Sequence, residues 1–368
     1  MLTVPNPPSS LMKRMAAAAV RSDRPSAARW ELAPCEQLVF HNGVMQRALL
    51  LVPLLCFPIL SAETVSLARD GNRIEVEIGG QPFTSFYFGP EATKPYLHPL
   101  RSADGTIVTR RYPMEQLAGE QTDHRHHRGA WFSHGDVNGV DFWANEPEQR
   151  GRGMEKGIIA LVSIDTVKAG AHSGTITFTF SWNDLTGTAL VSERRTMKFH
   201  RLDGNNVVDF DIVLSAQSET VKFGDTKEGT FAVRMATELE EQHLRAKGVP
   251  RTGTITNAHG AETEASTWGK RSPWVDYAGR IDGKPKGIAI FDHPANPKHP
   301  TYWHVRGYGL FAANVFGEHD FHADAGRDGS ITLARGETLR FRYRVVIHQG
   351  LGGGEEIERL FRAWAESN

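Results

Sequence analysis

An all-β fold, a large antiparallel β-sandwich with one C-terminal helix, is predicted by three observations. In Thr175–Trp182 every even position is apolar and every odd one polar, the pattern of a half-buried strand. That alternation returns in Val208, Phe210, Ile212 and Leu214, and again in Leu339, Phe341, Tyr343, Val345 and Ile347. Helical spacing, by contrast, is scarce. Its clearest instance is Glu355–Ser367, where Ile357, Leu360, Phe361 and Trp364 fall on one face after the glycine-rich stretch 350–354.

The individual elements follow from local chemistry. Asp70-Gly71-Asn72 between the alternating runs Val65–Ala68 and Arg73–Ile78 predicts a hairpin. Asp203-Gly204-Asn205-Asn206 predicts the turn leading into the Val208 strand. Arg340, Arg342 and Arg344 occupy the polar face of the last strand and read as a solvated ladder. Gln242–Lys247 has room for one short turn. With no 20–50-residue repeat and no linker after residue 63, residues 63–368 read as a single sandwich domain.

The start of the chain has a different character. Met45–Ala62 has one basic residue, an apolar run and a small-residue end at Ser61-Ala62, the layout of a secretory signal peptide. The run is shorter than the roughly 20 apolar residues a membrane span needs. Residues 1–44 then read as a misassigned start or a leader, with translation beginning at Met45; the alternative is an N-terminal tail before a single anchor. An exported protein is therefore expected, periplasmic or extracellular. Cys35 and Cys56 both precede residue 63, so stability would rest on the core and not on disulfides.

Composition narrows the function. The 368 residues carry 42 Lys+Arg against 43 Asp+Glu, a net charge of -1, with 40% hydrophobic residues. Those values exclude a disordered chain, a collagen-like repeat and a polytopic membrane protein, and they argue against a nucleic-acid partner. The sequence lacks G-x-S-x-G, a phosphate-binding loop, a dinucleotide fingerprint and H-E-x-x-H, which argues against the corresponding hydrolases, NTPases, nicotinamide enzymes and zincins.

The 16 histidines are the distinctive feature, and ten fall in two windows. One holds His98, His124, His126, His127 and His134; the other holds His293, His299, His304, His319 and His322. Histidine serves either as an acid or base near neutral pH or as a transition-metal ligand. In an extended segment His124 and His126 would share one face and His127 the other, so H-x-H could chelate a divalent metal. The imidazoles could equally bridge loops.

In the second window Pro294, Pro297 and Pro300 stiffen a loop that leads into Trp303, His304 and Arg306. Trp beside Arg suits a sugar or carboxylate platform. His319 and His322 read as a metal loop or a solvated polar loop. Glu228, at a loop edge before Arg234, is the candidate carboxylate opposite a histidine.

Lys94–Leu100, Asp123–Gly129, Lys227-Glu228-Gly229 and Asp292–Arg306 together resemble the bacterial PmoA-like family, an exported group of largely unknown function labelled "methane oxygenase". The resemblance spans about residues 65–365. It implies a β-supersandwich like that of galactose mutarotases, with histidines and a carboxylate on a concave sheet face. On that basis His126 or His127 would be the acid and Glu228 the base, with His304 a further catalytic candidate. Arg128, Arg234 and Arg306 would clamp oxygens; from the clusters themselves, and not from the resemblance, His98, His124, Trp143, His293 and Trp303 are the further candidate substrate contacts. The expected function is acid–base chemistry on a sugar, sugar derivative or oligosaccharide (epimerisation, elimination or hydrolysis), with no cofactor required. The alternatives are a metal-dependent oxygenase and a non-catalytic glycan-binding module.

Overall fold

The computed structural model describes residues 63–241, 249–350 and 352–367. The signal segment, the leader and the expected turn at Gln242–Lys247 lie outside them. Two eight-stranded antiparallel sheets dominate the described chain. The first runs, in spatial order, Val65–Asp70, Arg73–Ile78, Gln81–Tyr87, Tyr96–His98, Ala130–His134, Gly229–Arg234, Leu310–Asn314 and Tyr302–Val305. The second runs Thr254–Asn257, Trp274–Ile281, Lys284–Asp292, Thr338–His348, Asn205–Ala216, Ala189–Leu202, Ser173–Asn183 and Ile158–Lys168.

The alternation seen in the sequence decides which faces meet. Ile176, Phe178, Phe180 and Trp182 are fully buried, as are Val208, Ile212, Phe341 and Tyr343. They pack against Phe86, Phe132, Phe231 and Phe311 of the other sheet in one continuous core. Burying an aromatic or branched side chain contributes about 1.5–3 kcal/mol, so this shared interior is the main stabilising term.

Each sheet has a second, outward face. That of the second sheet is covered by the helix Gly354–Ala365, whose Ile357, Leu360, Phe361 and Trp364 pack on Val207, Trp274, Phe291 and Val346. Farther along, Arg340 pairs with Asp211 and Arg344 with Asp209, so two of the ladder arginines are neutralised across strands.

The outward face of the first sheet carries the candidate site. Its register aligns Tyr87, Tyr96, Trp131, Ala232, Ala312 and His304 in one rib across six strands. The two alanines, both fully buried, form the middle of the rib between Trp131 and His304.

Candidate functional site

The loop Asp123–Gly129 lies against that rib, where His127 stacks on Trp131. It is not extended: His124 adopts φ 42°, and the His127 amide donates to the His124 carbonyl at 2.9 Å, closing a turn. The strand-like alternation expected for this segment is thereby overturned, because a turn reverses the chain where a strand would carry it onward. His124, His126 and His127 end on one side, with ring centroids 4.4 to 5.8 Å apart. Gly129, at φ 51°, allows the loop to lie on the strand Tyr96–His98, since a Cβ there would strike the Leu97 carbonyl.

Arginines hold this turn in place. Arg110, fully buried, donates to Asp123 Oδ1 at 2.9 Å and to the His124 carbonyl at 2.9 Å. Arg234 also reaches Asp123 Oδ1, at 3.5 Å, and its Nη1 donates to His127 Nδ1 at 3.2 Å. Asp123 Oδ2 pairs with His124 Nδ1 at 2.9 Å. Behind Arg234 the buried Glu240 carboxyl is pushed up to about 7 by desolvation, against the pull of Arg234 and Arg251. Tyr308 stacks on His124 and lies under the Arg234 guanidinium, 4.8 Å from its ring centre.

The aromatic wall is Trp131 and Trp143. His127 stacks on Trp131 at 5.2 Å, and the two indoles meet at 5.1 Å. Trp143 is positioned by Lys94, whose ammonium donates to the Trp143 carbonyl at 2.7 Å and to Asn145 Oδ1 at 2.9 Å. Complete burial pulls Lys94 down to about 7. Arg128 grips Glu146 through two bonds of 2.8 and 2.7 Å, fixing the far rim.

His126 and His127 are neutral, and their tautomers follow from their partners. Arg234 can only donate, so His127 Nδ1 accepts and its proton sits on Nε2. Gln149 uses its carbonyl oxygen on the Glu146 amide and turns its NH2 to His126 Nδ1 at 3.1 Å, which puts that proton on Nε2 also. Desolvation, aided by neighbouring positive groups, depresses His126 to about 2 and His127 well below its ordinary value. Glu228 shifts the other way: burial raises its carboxyl, and it lies within electrostatic reach of His124 and Tyr308.

Of the twelve residues singled out from the sequence, His124, His126, His127, Trp143 and Arg234 meet directly in this cluster. Arg128 stands at its rim, and Arg306, paired with Glu264 at 2.7 Å, lies against Tyr308. His98 is on the same sheet, buried near Arg101 and Arg111, which together with desolvation hold it down to about 3. His304 closes the other end of the rib, its Nδ1 on the Lys227 carbonyl at 2.8 Å and its pKa lowered to about 4 by burial.

Two residues depart from expectation. Trp303 points into the core against Phe311, with its indole on the Ser272 carbonyl, because it alternates with His304 along the strand. His293 directly follows the second-sheet strand Lys284–Asp292 and lies beside Trp364, 5.0 Å between ring centres, whereas the turn that carries His126 lies against the first sheet.

The rest of the second window is structural pairing: His299 with Asp292, His319 with Asp225, and His322 with the Tyr302 hydroxyl. Among the described residues no three His, Cys, Asp or Glu side chains come together to hold a metal ion. The H-x-H chelate therefore finds no third ligand there.

Sequence reasoning passed over Arg110, Asp123, Trp131, Tyr308 and Lys94 as site residues. Asp123 and Lys94 stood inside quoted motifs, but only the turn and the sheet register show what they touch. Clefts also occur elsewhere: one of about 410 Å³ lined by Lys198, Arg342 and Trp364, and one of about 360 Å³ lined by Asp104, Arg111 and Glu238.

Fold and site define an all-β, two-sheet sandwich with an aromatic, histidine- and arginine-built cluster on one outer face. Residues 73–362 match the family of unknown function DUF6807, and the chain belongs to that family. This match lends no support to the PmoA-like label. No curated protein matches the sequence.

Among solved structures, the chain is similar to a galactose mutarotase-like protein from Lactobacillus casei ATCC 334. That match has 11% identity and a TM-score of 0.36, and covers 77% of this chain and 100% of that one. It is also similar to a putative aldose 1-epimerase from Escherichia coli K12 (13%, TM-score 0.33, coverage 78% and 99%). A GH36 α-galactosidase from Geobacillus stearothermophilus gives 10% identity and a TM-score of 0.34, with coverage of 78% and 41%. The chain thus spans about two fifths of the length of the α-galactosidases it matches. At these scores the likenesses assign no activity.

Proposed function

We propose that the protein is an exported carbohydrate-active enzyme whose site is the outer face of the first sheet. One observation carries this reading. His127 Nε2, Trp131 Nε1 and Trp143 Nε1 are buried polar atoms with no hydrogen-bond partner among the described residues, on three rings in mutual contact. Buried polar groups in folded proteins are nearly always satisfied by protein, water or ligand, so three unpaired donors on touching rings support a polar ligand here. Indole faces beside hydrogen-bond donors suit a hydroxylated ring, apolar on its C–H face and polar at its edge.

The chemistry assigns Glu228 as the proton carrier. A carboxyl whose pKa is raised by burial holds a proton more readily and is a stronger base when ionised, the property an acid–base group needs. His126 and His127, held neutral, donate hydrogen bonds from Nε2 and thereby polarise a substrate oxygen, instead of losing a full proton. Epimerisation, elimination and hydrolysis at a sugar each involve proton transfer and a polarised substrate oxygen, which this combination can supply.

The test is a panel of mono- and oligosaccharides followed by proton NMR, with wild type and Glu228→Gln compared. Turnover by the wild type and its loss in the variant support the reading. Sugar binding that saturates without turnover makes the protein a glycan-binding module, and no binding at all refutes the site.

A further inference from the structure

We infer that the group held at the His127–Trp131–Trp143 cluster is a carboxylate, so that the substrate is an acidic sugar such as a uronate. The inference rests on the carbohydrate reading above and names its substrate class. An indole N–H can only donate, which makes Trp131 and Trp143 donors without alternative. The Arg234 guanidinium occupies His127 Nδ1 and leaves Nε2–H as a third donor. All three side chains are at least 99% buried. Their ring centroids stand 5.1, 5.2 and 6.0 Å apart.

Three unpaired donors with no acceptor among them call for a group that accepts repeatedly and donates nothing. A neutral hydroxyl brings its own hydrogen, which would be left unsatisfied against this set; a carboxylate brings only lone pairs. The charges behind the cluster agree. Arg110 and Arg234 share a single oxygen, Asp123 Oδ1, at 2.9 and 3.5 Å, and Glu240, 4.0 Å from Arg234, is held more closely by Arg251 at 2.7 Å, so neither guanidinium has a carboxylate to itself. Hydrogen bonds to an ionised acceptor are also roughly twice as strong as neutral ones.

The experiment is titration calorimetry of the full mature chain with glucuronate, galacturonate and mannuronate, each beside its neutral parent sugar, with acetate as a bare carboxylate. At least one uronate is expected to bind about tenfold or more tighter than its parent. In Trp143→Phe, which keeps a ring and deletes the donor, that uronate-to-parent ratio falls by about tenfold. The wild-type ratio alone decides the matter should the variant fail to fold. Parent sugars that bind as tightly as their uronates overturn the inference and leave the carbohydrate reading intact. Acetate binding as tightly as the uronate overturns it as well, since the ring then contributes nothing. If no sugar of either kind binds, the carbohydrate reading falls, and the inference with it.

Discussion

Replacing His98 with leucine isolates the electrostatic cost of one buried imidazole. His98 is 2% exposed, and neither ring nitrogen has a hydrogen-bond partner among the described residues. Desolvation, then Arg101 and Arg111, lowers its pKa from 6.5 to about 3. The folded value lies below the unfolded one, so the unfolded chain binds the proton first. The stabilising contribution of neutral His98 is intact above about pH 6.5 and is lost as pH falls toward 3.

At pH 5 the unfolded imidazole is charged and the folded one is not, a difference of about 2 kcal/mol at 1.36 kcal/mol per pKa unit. Leucine carries no such linkage. Urea unfolding of wild type and His98→Leu at pH 7.5 and pH 5.0 gives two stability differences. Any packing cost of the leucine cancels between them. The second difference should favour the variant by about 2 kcal/mol relative to the first. A difference that stays constant with pH would refute the claim that His98 is buried and neutral.

Glu228→Gln should lower turnover by at least about 100-fold while sugar affinity changes little, as judged by NMR assay and calorimetry. Arg128→Met leaves the buried Glu146 carboxylate unpaired and should cost about 3 kcal/mol in urea unfolding, with most of that recovered when Glu146→Leu is added. Trp364→Ala strips the C-terminal helix of its contact with Phe291 and should cost about 3–5 kcal/mol, read as a fall in Tm. Expressed from Met45, the protein should show an intact mass beginning at Glu63 if 45–62 is a cleaved signal; a retained 45–62 segment would exclude the signal-peptide reading.

The strands were legible because burial on one face writes itself into the chain as alternation. Thr175–Trp182, Val208–Leu214 and Leu339–Ile347 all fall inside observed strands, and Glu355–Ser367 overlaps the observed helix Gly354–Ala365. The same logic misplaced Trp303, whose partner on the alternating face, His304, is the one that faces outward. The site was half legible. The Asp123–Gly129 motif drew attention by its histidines, but its shape depends on His124 in the left-handed region and on Arg110 bonding the loop from a distance. Trp131, Ala232, Ala312 and His304 come from four separate stretches of chain, and only strand register aligns them. His293 belonged to the same window as His304, yet the two sheets divide that window between them.

The central claim is that a ligand binds the outer face of the first sheet, at the histidine–tryptophan cluster. The most direct test titrates 15N-labelled protein with the sugars and sugar acids and follows the indole N–H resonances, assigned through Trp131→Phe and Trp143→Phe. Saturable shifts of the Trp131 and Trp143 signals are predicted. Saturation confined to Trp364, in the cleft on the opposite sheet, with the Trp131 and Trp143 signals unmoved, would contradict the account.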